Sequence, residues 1–223
     1  MRRIARILGI HRITVARKRR FLSEQARLEQ TQFLEQFSSK PIGCVQLDEM
    51  ETFEHSKCKP LSIALLVSDE PKRERVILGT RVSVMPAKGP LAQVSREKYG
   101  FRPDLRSQAI RSLLLESKPL IVPQPQITSD QNPRYPKLIQ KQWGQAKHIA
   151  VQGKRGCIVG QGELKKIGFD PLFSLNHTAA MFRANINRLF RRTWCTTKKL
   201  EALQEHLEVY TAYHNRKLLK LAA

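Results

Sequence analysis

Cysteine is scarce and unpatterned in this chain. Cys44, Cys58, Cys157 and Cys195 are scattered with no CxxC pair among them. That spacing argues against a zinc ribbon and against a disulfide scaffold, and it suits a reducing cytoplasm. Long hydrophobic runs are also missing: no stretch of 18 consecutive apolar residues exists, which argues against a membrane-spanning helix. The first 22 residues are too basic and too poor in apolar length to read as a signal peptide, so secretion is not expected. No internal repeat is apparent. Acids are the minority charge, with 19 Asp and Glu against 40 Lys and Arg in 223 residues, a formal balance of +21. What is present in quantity is apolar side chain, 41% of the chain, enough to fill a core and to exclude wholesale disorder.

A surplus of this size predicts a polyanionic partner, because each neutralised phosphate releases condensed counterions. The cations are clustered. Residues 1–22 hold Arg2, Arg3, Arg6, Arg12, Arg17, Lys18, Arg19 and Arg20, and residues 182–199 hold Arg183, Arg188, Arg191, Arg192, Lys198 and Lys199, with no acid in either run. Nucleic acid fits this pattern better than a membrane surface, since the apolar stripes are short and core-facing.

In MRRIARILGIHRITVARKRRFL the apolar positions fit two short helices broken at Gly9. Ala5 sits where the helices would cross closely, Gly9 can take the positive φ of a sharp turn, and Val15 would plug the interface. This spacing resembles a helix-turn-helix DNA-binding unit, with Thr14, Arg17 and Lys18 on the helix directed at a major groove. A plain basic helical hairpin is the alternative. The motif needs a third helix, which residues 23–37 supply unless the reading frame is shortened. Ser38 to Pro41 mark a boundary, dividing a segment 1–38 from a larger unit over 39–223.

Beyond the boundary the period becomes strand-like. Strands are expected over 42–53, 60–68 and 75–85, joined as an antiparallel meander, followed by a helix over 104–117. A fourth strand near 120–129 contains Pro123 and Pro125, so only 126–129 is expected to be regular. A short helix over 133–143, a fifth strand over 146–151, a Gly-rich loop over 152–172 and closing helices over 175–192 and 197–219 complete the chain. The expected class is α/β, and the order of elements resembles a ribonuclease H-like mixed sheet flanked by helices.

Asp48 lies in the middle of the first strand, in VQLDEMETF, and Asp130 closes the fourth, in QITSDQNP. An acid within an apolar strand costs several kcal/mol unless something pairs with it. If these strands are neighbours, both carboxylates converge at one end of the sheet and repel unless a divalent cation neutralises them. Mg²⁺ suits such a pair because it takes a few oxygen ligands and keeps waters. A salt-bridged Asp48 and an Asp130 that caps the following helix is the structural alternative.

QLDEM and SDQNP, with Asn-His at 176–177 and RLFRRT at 188–193 followed by Lys198, resemble the insertion sequence one family of DDE transposases. The resemblance covers roughly residues 42–216 and the basic segment before them. It implies a DNA transposase that binds terminal inverted repeats and carries out Mg²⁺-dependent strand cleavage and transfer, Mn²⁺ substituting, as a homodimer or larger assembly on double-stranded DNA. It implies Asp48 and Asp130 as catalytic metal ligands. The third acid of the family's pattern is absent: counting back from RLFRRT places Asn176 there, and anchoring on Asn-His places Ala179 there. Asn176 is preferred because Arg183 then follows seven residues on, on the same helical face, and because its carbonyl oxygen can ligate a metal. An Asn here also reads as a helix N-cap. Glu163 and Asp170 are outside candidates for the missing carboxylate. His177 is placed to contact a scissile phosphate or to serve structurally, Arg191 and Arg192 to grip phosphates, and Trp194 to stack on a base or fill the core. The rival readings are a catalytically inactive DNA-binding derivative, a nuclease of the same fold that cuts without joining, and, on charge alone, an RNA-binding protein.

Overall fold

The computed structural model describes residues 2–71, 75–152, 170–190 and 196–219. Two helices lead, α1 (Arg2–Ile7) and α2 (Arg12–Ser39), followed by β1 (Ile42–Phe53), β2 (Pro60–Ser68) and β3 (Ile77–Val84). Then come α3 (Leu91–Tyr99), α4 (Arg106–Ser117), β4 (Ile121–Asp130), α5 (Tyr135–Gln142), β5 (Lys147–Val151), α6 (Phe173–Asn185) and α7 (Leu200–Tyr213). The five strands form one mixed sheet in the order β3-β2-β1-β4-β5. The first three strands are antiparallel, as expected for a meander, whereas β4 pairs parallel to β1 and β5 parallel to β4.

Strand periodicity separates two cores. Val45, Leu47, Leu66 and Leu78 face α4 and α5, meeting Ile110, Leu113 and Ile139. Met50, Ile63, Leu65 and Val67 face the other way, onto Leu175 and Phe182 of α6 and Leu203 and Leu207 of α7. β2 is sandwiched between both layers, so eight of its nine residues are buried, which is why PLSIALLVS shows an unbroken apolar run rather than alternation. The class is therefore α/β, and the strand order is compatible with a ribonuclease H-like fold.

Several expectations change. Residues 23–37 form no separate third helix; they continue α2, because nothing between Arg12 and Ser39 is Gly or Pro. The head is a two-helix hairpin whose turn uses Gly9 at φ +63°, with Ala5 buried and Val15 half-buried. The second half of α2 packs on the α/β body, with Leu34 in the core and Phe33 and Phe37 against it. β4 runs its full length despite its prolines. Its partners on β1 jump from Ile42↔Ile121 to Cys44↔Gln126, so Pro123 and Pro125 stand in a bulge where no ladder N–H is needed, and regular pairing starts at Gln126. α3 was not expected; Pro90 before it and Gly100 after it are its start and stop signals. α6 ends at Asn185, short of 192, where the Asn185 amide turns back to donate to the Met181 carbonyl and the Tyr210 hydroxyl. Most of the Gly-rich segment lies outside the described residues. No helix among the described residues is long and apolar enough to cross a membrane.

Gly79 of β3 lies close against α4: a Cβ there would lie 2.7 Å from Leu113 Cδ1. Gly79→Ala is expected to cost about 1–3 kcal/mol by overpacking, measured by urea unfolding. In a Leu113→Ala background the same change should cost clearly less.

Candidate functional site

Parallel pairing of β1 with β4 matches Leu47 to Ser129, and one step further along this register stand Asp48 and Asp130. Laterally paired residues of neighbouring strands project to the same face, about 4.8 Å apart at the backbone. The two acids, 82 positions apart in the chain, are therefore neighbours. Asp48 is half-buried, and its Oδ1 accepts from the Glu49 N–H at 2.6 Å and the Tyr135 hydroxyl at 3.2 Å. Burial pushes its carboxyl up from 3.8 to about 6, and the charges of Asp130 and Glu49 add to the rise against these two hydrogen bonds. Tyr135 is fully buried, and burial together with the Asp48 charge holds its hydroxyl in the protonated, donating form. Asp130 Oδ1 accepts from the Asn132 N–H at 3.0 Å, and the Asn132 side chain reaches Glu49 Oε2 at 3.3 Å.

α6 forms the roof over Asp48. Its first turn is hooked to β1 by Gln46, which is 1% exposed: the Gln46 amide donates to the Pro171 carbonyl and accepts from the Leu175 N–H, both at 3.0 Å. Ser174 adds a hydrogen bond to Asp69 Oδ1 at 2.6 Å. Beneath α6 lies a small cavity of about 60 Å³, lined by Asp48, Met50, Leu65, Asn176, Ala179 and Arg183 among others. The sequence-derived Asp48, Asn176 and Arg183 thus meet at one cavity, and Ala179, the other position considered for the third ligand, shares that face of α6. Asn176 Nδ2 donates to Asp170 Oδ2 at 2.8 Å, while Asp170 Oδ1 accepts from the Leu172 N–H at 2.9 Å. Asp170 thus closes the turn that leads into α6 and also orients Asn176. His177 is exposed beside Phe173, ring centroids 5.8 Å apart. Among the described residues, no group of three or more His, Cys, Asp or Glu is placed to hold a metal ion. Glu163, Arg191, Arg192 and Trp194 lie outside the described residues.

Thr14, Arg17 and Lys18 are exposed on α2. The two basic runs approach each other at α7. Arg19 of α2 is ion-paired with Glu205, and burial, followed by the charges of Arg188 and Arg19, drives the His206 imidazole down to about 4. Sequence reasoning did not single out Gln46, Asn132 or Tyr135 as functional. Gln46 carries a usable signal, a polar side chain two residues from Asp48 on the same face of a strand. Tyr135 carries none, since it reaches Asp48 from an element on the opposite side of the sheet. No family model matches the chain, and no curated protein matches it.

Ionised Asp48 costs the folded state. Its folded value of about 6 lies above its ordinary 3.8, so the penalty is absent below about pH 4, develops up to pH 6 and is full above it, on the order of 3 kcal/mol at most. Asp48→Asn, in the presence of a chelator, is expected to exceed the parent in stability by about 1–3 kcal/mol at pH 8. The gain should vanish near pH 4. Denaturant midpoints across that range check both.

Proposed function

We propose that this protein is a DNA transposase of the DDE type, similar to the insertion sequence one family, acting on the terminal inverted repeats of a mobile element. One observation carries the reading: Asp48 and Asp130 fall at neighbouring positions of adjacent parallel strands, and α6 brings Asn176 and Arg183 to the cavity at Asp48. A protein uses such a costly pair where a cation neutralises it.

The residues fit Mg²⁺, or Mn²⁺ in its place. The donor set is oxygen only, and the two hydrogen bonds at Asp48 engage Oδ1, with no partner for Oδ2 among the hydrogen bonds described for the site. Asp48, Asp130 and the carbonyl of Asn176 would hold a pair of ions. Bound there, the ions supply Lewis-acid activation of water, and later of a freed 3′-hydroxyl, for in-line attack on phosphorus while neutralising the leaving oxygen. Tyr135 and the Glu49 N–H fix the rotamer of Asp48, Asn132 fixes Asp130, and Asp170 turns the Asn176 amide. Arg183 offers positive charge where a scissile phosphate would lie. Thr14, Arg17 and Lys18 of the N-terminal hairpin would contact DNA as a helix-turn-helix does, Arg191 and Arg192 would add phosphate contacts, and strand transfer between two ends calls for a homodimer or larger assembly in the cytoplasm.

Asn176 in place of a third acid favours a second reading, a transposase-derived protein that binds DNA without cutting it. Mg²⁺-dependent nicking of duplex DNA taken from the flanks of the reading frame separates the two. The parent should nick, and Asp48→Asn should lose about 100-fold or more in rate. Equal activity of the two proteins rejects the catalytic assignment. Calorimetric titration with Mn²⁺ adds a second readout: absence of binding that depends on Asp130 favours the binding-only protein.

A further inference from the structure

A cleft of about 410 Å³, well away from Asp48, opens where α2, α4 and α7 meet the outer edge of β3. Its walls are apolar, with Leu34 from α2, Leu78 from β3, Leu113 from α4 and Leu120. That volume and lining are of the kind that takes a small organic molecule, provided a few polar groups converge inside. Two do, both from α7 and three residues apart on one helical face. Thr211 is 4% exposed, and its hydroxyl has no hydrogen-bond partner among the described residues. Glu208 has a side chain 12% exposed, and its Oε2 likewise has no partner. Its other oxygen receives the Gln204 amide at 3.3 Å and lies 3.9 Å from Arg27, whose side chain is 57% exposed.

The charge of the cleft runs against that of the molecule. In a chain of net charge +21, the cleft is lined by Glu35, Glu116 and Glu208 against Arg27 and Arg81, and Arg81 is already paired with Glu116. Nucleic acid is therefore the wrong ligand for this surface. A buried carboxylate oxygen without a donor, beside a buried hydroxyl without any partner, suits a group that brings N–H donors and positive charge. The apolar walls call for a hydrocarbon stem behind it. We propose that this cleft is a binding site for a protonated amine or guanidine on an apolar stem, its N–H groups donating to Glu208 Oε2 and Thr211 Oγ1. Burial raises the Glu208 carboxyl above its ordinary range, and a bound cation would reverse that rise. The same chemistry is presented by a free organic cation and by an arginine side chain of a peptide.

Isothermal titration of the full chain with benzamidine tests the site, with neutral benzamide as control and acetyl-leucyl-arginine amide as the peptide arm. Benzamidine should bind the parent, and benzamide should not. Thr211→Val, which keeps the shape of the side chain, and Glu208→Gln should each weaken benzamidine about tenfold. Tighter binding of the peptide than of benzamidine identifies a protein side chain as the source, and weaker binding identifies a free cation. No binding of benzamidine, equal binding by benzamide, or unchanged affinity in both variants overturns the proposal. Thermal melts establish that each variant is folded, and if Glu208→Gln is not, Thr211→Val decides alone. Nothing in the test depends on the reading of Asp48.

Discussion

Two carboxylates held on neighbouring parallel strands are the constraint around which the rest of the structure is arranged. β1 and β4 pair in a register that leaves Asp48 and Asp130 side by side. Like charges at that spacing oppose each other, and burial of Asp48 adds desolvation to the repulsion. The surroundings ease this only in part. A backbone N–H and a buried tyrosine hydroxyl support Asp48, and a backbone N–H supports Asp130. The Asp48 carboxyl nevertheless keeps a proton well above the pH at which an exposed aspartate gives it up.

The second consequence concerns α6. The helix is positioned by Gln46, a buried amide of β1 that both donates and accepts, and by the contact between Ser174 and Asp69. Because Gln46 is two residues from Asp48, the strand that carries the acid also carries the anchor of the helix that covers it. Asn176 and Arg183 are thereby delivered to the Asp48 cavity as a rigid pair. A neutral amide at that point makes the cavity less negative than a third acid would, and its own orientation depends on Asp170, whose carboxylate also closes the turn before the helix.

Charge is partitioned across the molecule. The N-terminal hairpin and the turn after α6 bring cations from both ends of the chain toward α7, where Arg19 and Arg188 act together on His206. The cleft between α2, α4 and α7 collects acids and apolar side chains instead. The long α2 helix serves both regions, since its first half displays Arg17 and Lys18 while its second half inserts Leu34 into the core.

Strand content was legible because alternation and apolar runs are local. The bounds of β1 and β2 follow directly from IGCVQLDEMETF and PLSIALLVS, and the α/β class follows from the order of elements. The two aspartates were legible as well, because a charged residue inside an apolar strand is conspicuous wherever it occurs. The length of α2 is less legible: the helix-turn-helix pattern calls for a separate third helix, whereas the absence of any Gly or Pro between Arg12 and Ser39 lets one helix run through. Sequence alone thus determined the strands, the acids within them and the excess of positive charge, each being a property of neighbouring residues or of composition. Tertiary structure alone decided that β4 lies parallel against β1, that Tyr135 reaches Asp48 and that Gln46 anchors α6. Those contacts join residues 82, 87 and 129 positions apart, and only the packing of layers on both faces of the sheet selects them.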